Sequence, residues 1–311
     1  MAASKNDILI FGFPGLEAFH IWISILFFLL STVVLLGNSM ILLVVILEPN
    51  LHESMHYFLF MLSVTDLGLA LSTMPMTLSV LWFNAREITL NACIIQLFFL
   101  HSSGFMESSV LMVMAFDCFV AICRPLRYAT ILTDSRILKI GVAIVLRMLI
   151  RLLWVSPFCF MVSRMPFCQH QAIPQSYCEH MAVLKLVCAD TSINRGYGLF
   201  VAFSVAGFDM TVIGMSYMMI LRALLQLPSG EARLKAFSTC ASHICVILAF
   251  YIPALFSFLT HRFGHYVPQV VHILFANLYL LVPPMLNPII YGVRTKQIRD
   301  RVTQGCCGNV P

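Results

Sequence analysis

Charged residues are scarce in this chain of 311 residues: Asp, Glu, Lys and Arg make up 11% of it, against 60% hydrophobic. A soluble domain carries about 25% charged residues, so this balance excludes an ordinary globular protein and points to a polytopic membrane protein. There is no Asn-x-Ser/Thr sequon: Asn6 and Asn38 come nearest, and both fail at the third position. No cleavable signal peptide is expected, because the first 20 residues carry Lys5, Asp7 and Glu17 and lack a charged-then-apolar-then-small pattern. HExxH, GxSxG and paired intramembrane aspartates of protease type are also missing, so no enzyme is expected. The net charge of +5 would suggest nucleic acid in a soluble protein. Here it is expected to reflect orientation in a membrane, with no nucleic-acid partner.

Seven stretches are present that can each cross a bilayer, which takes roughly 20 mostly apolar residues. They lie at about 22–47, 57–82, 92–123, 137–162, 196–225, 236–260 and 268–292. The expected fold class is therefore an all-α membrane protein, a seven-transmembrane helix bundle. A tail over 1–21 precedes the bundle at 22–292, a long loop occupies about 163–195, and a second tail covers 293–311. Seven spans put the termini on opposite sides. Eleven basic residues, among them Arg124, Arg127, Arg222 and Arg233, share the side of the carboxyl terminus; six, among them Arg86, Lys185, Arg195 and Arg262, lie on the other. The positive-inside rule makes the amino terminus extracellular and the carboxyl terminus cytoplasmic. The run RTKQIRDR at 294–301 is basic and mildly amphipathic, suited to anionic inner-leaflet lipids, with Cys306 and Cys307 as candidate palmitoylation sites. A frayed polar tail is the alternative.

Two basic residues, Arg147 and Arg151, sit inside the fourth span four positions apart, on one helical face. Each costs about 2.5–3.5 kcal/mol at mid-membrane on insertion scales. They either hold a contact particular to this chain or weaken insertion. Asp66 in the second span and Glu107 in the third are expected to face each other and share a cation or water; the alternative is two hydrogen-bonded acids, one protonated. In the seventh span, Pro288 frees a backbone carbonyl and gives a hinge its physical basis.

The loop at 163–195 contains Cys168, Cys178 and Cys188, and Cys93 opens the third span. Four cysteines allow three pairings, and spacing does not choose among them. His261 and His265, or Cys178-Glu179-His180 beside Cys168 and His170, suggest a metal site. Gly264 interrupts the first pair and disulfides claim the second set of thiols, so no metal is expected.

The stretch VMAFDCFVAICRPLRY at 113–128 begins as apolar helix, carries Asp117 in hydrophobic surroundings and ends in basic residues around Pro125. With LHESMHYFLFMLSVTDL at 51–67, KAFSTCASHICVIL at 235–248 and PPMLNPIIYG at 283–292, it resembles the odorant-receptor branch of the rhodopsin-like G-protein-coupled receptors. The string THRFG at 260–264, with SYCEHM at 176–181 and CAD at 188–190, is similar to the class I, or fish-like, odorant receptors.

The resemblance implies disulfides Cys93 to Cys178 and Cys168 to Cys188, and a sodium ion or water held by Asp66 and Glu107 in the resting state. It implies an activation switch built on Asp117 and Cys118 in the third span and on Asn287, Pro288 and Tyr291 in the seventh. One departure stands out. Relatives carry arginine after the aspartate; Cys118 supplies neither the cation nor its fork of donors. Reduced or altered coupling is the leading expectation, compensation by other inner-face contacts the second. Relatives also commonly carry a sequon, so its absence bears on surface maturation.

For the ligand, the outer halves of the spans present His101, Gly104 and Phe105 on the third, Phe203 to Phe208 on the fifth, and Phe250, Tyr251, Ala254 and Phe258 on the sixth; His180 projects from the loop. They outline an apolar, aromatic cavity. Arg262 lies above it, where a guanidinium can grip a carboxylate; a snorkelling charge is the alternative. The resemblance implies a small odorant, a carboxylic acid being the expected class. It also implies a heterotrimeric G protein of the stimulatory olfactory type raising cyclic AMP, and residence in the plasma membrane of olfactory cilia. A small channel or transporter is the rival reading, but the inverted repeats that mark many transporters are not evident.

Overall fold

The bundle is built from helices whose outward faces are as apolar as their cores. In the first, α1 (His20–Leu47), Ile21, Trp22, Leu36 and Ile46 are exposed while Val34, Asn38 and Ile41 are buried. An apolar exterior with buried polar groups suits lipid as the surrounding solvent. The structure is a computed structural model that describes residues 7–47, 54–123, 134–168, 172–226, 230–263, 267–294 and 299. The other long helices are α2 (Ser54–Phe83), α3 (Leu90–Cys123), α4 (Asp134–Ser163), α5 (Ser192–Gln226), α6 (Gly230–Phe263) and α7 (Gln269–Arg294). All seven are long and apolar enough to cross a membrane. The 28 residues of α1 make about 42 Å of helix, more than the roughly 30 Å of hydrocarbon to be crossed.

α3 is the central post, with buried residues from Cys93 at its start to Phe119 near its end. Around its inner half, Leu59 and Leu62 of α2, Ile213 of α5, Val246 and Phe250 of α6 and Tyr291 of α7 form one apolar cluster. α1 packs on α7 at Gly37, where a Cβ would come within 2.8 Å of the Pro288 ring. That contact places Asn38 against the α7 backbone. Pro288 has no N–H, so the carbonyl four residues earlier, that of Pro284, loses its helical donor. Asn38 Nδ2 replaces it at 2.9 Å.

One end of the bundle carries a small three-stranded sheet that the composition does not reveal. β1 (Asp7–Ile10) lies between β2 (Glu87–Thr89), antiparallel, and β3 (Ala172–Ile173), parallel. The register pairs Ile8 with Ile88 and Ile10 with Ile173. Ile8, Ile10 and Ile173 point inward, fully buried, and Leu9 outward, the alternation a strand imposes. Residues 7–10 of the predicted tail are thus a roof strand. At the same end Cys93 is bonded to Cys178, with Cα atoms 5.5 Å apart, and Cys168 to Cys188, 5.3 Å apart.

These bonds draw the long loop down into the bundle. Cys178 N donates to Gln96 Oε1 at 2.8 Å, and Gln96 Nε2 donates to Ser72 O of α2 at 2.8 Å. Ser176 donates to Asn277 of α7 at 2.9 Å. A short helix follows over His180–Leu184, capped by Glu179, whose carboxylate accepts the Ala182 N–H at 2.9 Å. The Lys5, Arg124, Pro125, Arg127, Tyr128, His170, Gly264, His265, Arg301, Cys306 and Cys307 of the sequence readings lie outside the described residues, as does most of the predicted amphipathic tail.

Candidate functional site

A cavity of about 240 Å³ lies between α3, α5, α6 and α7, beneath the loop. Phe105, Phe203, Phe250, Ala254 and Phe258 supply its apolar wall; His101, Ser108, Tyr251 and Tyr279 supply polar atoms, and Tyr177 and Glu179 descend from the loop. His101, Gly104, Phe105, Tyr251, Ala254 and Phe258, all expected from the sequence, line it together. At Gly104 an added Cβ would overlap the Tyr279 hydroxyl, so the bare backbone lets α7 reach across to α3.

Within the expected stretch 203–208, Phe203, Val205 and Ala206 line the cavity, while Phe208 is exposed with the Arg147 guanidinium over its ring. Two other expected lining residues stand elsewhere. His180 is buried behind the wall, its Nε2 2.6 Å from Asn194 Oδ1 and its ring against Phe158. Asn194 Nδ2 donates to Phe158 O at 3.1 Å, which leaves Oδ1 to accept from a neutral imidazole. Burial, together with the Arg262 charge, lowers the His180 pKa below the ordinary histidine value, outweighing Asn194 and Glu179. Arg262 lines a second, outer cavity of about 600 Å³ with Lys185, Arg195, Gln269 and His272. Its Nη1 donates to Arg195 O at 2.9 Å, and its guanidinium sits 4.8 Å over the Phe258 ring. Phe258 therefore divides the two cavities, lining the inner and supporting the cation of the outer. Arg262 Nε is buried with no hydrogen-bond partner among the described residues.

Beneath the inner cavity lies an ion cluster absent from the sequence reading. Asp209 of α5, fully buried, takes Arg151 Nη2 on both oxygens at 2.8 Å and pairs with Arg147 as well. Ser108 donates to Asp209 Oδ2 at 2.6 Å, so the 2.8 Å contact between Ser108 and Tyr251 is a bond from the tyrosine hydroxyl. Arg147 and Arg151 hold a specific contact, each paired with Asp209. The signal was present: Asp209 is the one acid of the fifth span, and two buried arginines require one.

Deeper in the bundle, Asp66 accepts from Asn287 Nδ2 at 2.8 Å. Asp66 Oδ1 and both Glu107 oxygens are buried without a hydrogen-bond partner among the described residues, and the two acids are close enough to interact. Farther along, Tyr217 OH meets His243 Nδ1 at 2.8 Å, with the Tyr291 ring 6.0 Å from that of His243. Asp117 is half-buried beside Cys118, whose Sγ is 3.9 Å from Cys240 Sγ on α6. Among the described residues no three His, Cys, Asp or Glu side chains converge as metal ligands would.

The sequence matches the olfactory receptor family over residues 27–308. It is 70% identical to human olfactory receptor 52R1 over 303 residues, covering 97% of this chain and 95% of the relative. It is 54% identical to human olfactory receptor 52P1 over 293 residues, covering 94% and 90%, and 53% identical to human olfactory receptor 52J3 over 291 residues, covering 94% and 92%. Identity of this extent across all seven spans leaves no room for a different architecture, and the chain belongs to the olfactory receptor family, in its class I division: a multi-pass plasma-membrane receptor for odorants that couples to G proteins, and not an enzyme.

Proposed function

We propose that the ligand is a short carboxylic acid whose alkyl chain enters the inner cavity and whose carboxylate is held by Arg262 at the outer edge. The observation that carries this reading is the guanidinium itself: stacked on Phe258, with an Nε that bonds nothing among the described residues, at the boundary between an apolar cavity and an outer chamber that also holds Lys185 and Arg195. A cation with an unused donor favours an anion in a forked grip. The inner volume of about 240 Å³ lies below the range of drug-sized sites and favours a small guest.

Ligand binding favours an arrangement in which α6 leaves α3 at the cytoplasmic end and admits a stimulatory olfactory-type G protein, raising cyclic AMP. The bias equals the difference in ligand affinity for the two arrangements. The chain is oriented with its disulfide-bearing end outside, and Cys118 in place of arginine weakens coupling. Asp66 and Glu107 hold a sodium ion at rest, a reading supported by the three of their oxygens that bond nothing among the described residues; thermal stability that does not respond to sodium in place of potassium would remove it.

The test is a cyclic-AMP reporter with surface staining, for the native chain and for Cys118→Arg, against short to medium carboxylic acids and neutral analogues. Acids are expected to act on Cys118→Arg more strongly than on the native chain, and Arg262→Ala at equal surface level is expected to abolish the response. Equal responses to neutral analogues, or an unaffected Arg262→Ala, would overturn the anchor. A native response equal to that of Cys118→Arg would overturn the weakened coupling.

A further inference from the structure

At the inner end of the bundle, two thiols face each other across the contact between α3 and α6. Cys118 Sγ and Cys240 Sγ are 3.9 Å apart. Phe119, Ile220 and Leu224 surround them in one apolar cluster. Cys240 is buried and Cys118 is half-buried. A disulfide needs its sulfurs at about 2.05 Å. Closing that gap takes an approach of roughly 2 Å.

We propose that Cys118 and Cys240 are a peroxide-sensitive pair whose disulfide pins α3 to α6 and holds the cytoplasmic crevice shut. The oxidant is hydrogen peroxide. The thiolate of one cysteine of the pair attacks one peroxide oxygen and breaks the O–O bond; the sulfur becomes a sulfenic acid and the departing hydroxide takes up the thiol proton as water. The other sulfur then displaces the sulfenic oxygen as a second water, forming the S–S bond. Two thiols lose two electrons and two protons, and one peroxide becomes two waters. Glutathione or thioredoxin reverses the step, which suits a transient bond in a reducing compartment. The pinning consequence rests on the proposed outward movement of α6; the chemistry does not. Cys118, which cannot act as the arginine of relatives, acquires a different use at the same place.

The experiment uses the full chain with a protease site inserted between α5 and α6, in membranes. After cleavage, Cys118 and Cys240 lie on different fragments, and both other disulfides lie within the first. Hydrogen peroxide is expected to leave the fragments joined on a non-reducing gel, dithiothreitol to separate them, and Cys118→Ser and Cys240→Ser to abolish joining. Fragments that separate after peroxide in the native chain, or stay joined in Cys118→Ser, overturn the pairing. The gel contains no G protein, so its result is independent of the coupling reading. In cells where the reduced chain signals, peroxide is expected to abolish the cyclic-AMP response of the native chain and not that of Cys240→Ser. A response that survives full cross-linking overturns the lock.

Discussion

Arg151 of α4 donates through one guanidinium nitrogen to both carboxylate oxygens of Asp209 on α5, 2.8 Å each, with neither residue reaching the surface. Among the described residues this is the ion pair that joins two spans, and it fixes how these two neighbours face each other. It also supports the cavity floor, because Ser108 and Tyr251 line the cavity, the serine donating to the same carboxylate and the tyrosine donating to the serine.

Breaking the pair from the acid side leaves two cations in the membrane. Asp209→Asn is expected to cost about 3–5 kcal/mol, as removal of one partner of a buried ion pair does. Arg147→Leu is expected to cost less, since the Arg147 side chain is 28% exposed against 5% for Arg151. Thermal unfolding in nanodiscs ranks the variants. An Asp209→Asn protein as stable as the parent would remove the cluster from the account of the fold.

Asn38→Ala deprives the Pro284 carbonyl of its substitute donor. The expected loss is about 1–3 kcal/mol, the cost of a buried unsatisfied polar group. Adding Pro288→Ala restores a backbone N–H to that carbonyl, so the double variant should recover part of the loss. Additive losses would show that the asparagine acts elsewhere.

Gly104→Ala drives a methyl group into the Tyr279 hydroxyl. Overpacking of this kind costs about 1–3 kcal/mol and is expected to push the tyrosine into the cavity and weaken every ligand. Tyr279→Phe in the same chain removes the clashing oxygen. Stability and ligand potency should then return together.

His180 makes stability depend on mild acid. Its folded pKa is lowered by burial, so the unfolded chain binds the proton first. Stability is therefore full at higher pH and falls as pH drops below about 6.5, the unfolded value. The loss levels off once pH passes below the folded pKa. His180→Gln is expected to flatten this part of the profile. An unchanged difference between the two proteins across about pH 7.5 to 5 would assign the dependence to other groups.

Seven long apolar runs are enough to require seven helices, because a backbone in lipid must satisfy its hydrogen bonds within each segment. Lengths, order and the aromatic faces of α3 and α6 follow from the residues themselves, and His101, Gly104, Phe105, Phe203, Phe250, Tyr251, Ala254 and Phe258 do converge on one cavity. Tertiary structure decided the rest. The roof sheet joins strands of two to four residues from three distant segments, too short for periodicity to register and stable only in combination. Arg262 belongs to the outer cavity because Phe258 stands beneath its guanidinium, a matter of side-chain direction that spacing along a helix does not express. Asp209 is an acid in need of a partner until α4 brings two arginines to it, and Cys118 is a lone thiol until α6 places Cys240 beside it. Hydrophobicity is a property each residue brings to the membrane alone; pairing is a property of two surfaces, and only their packing creates it.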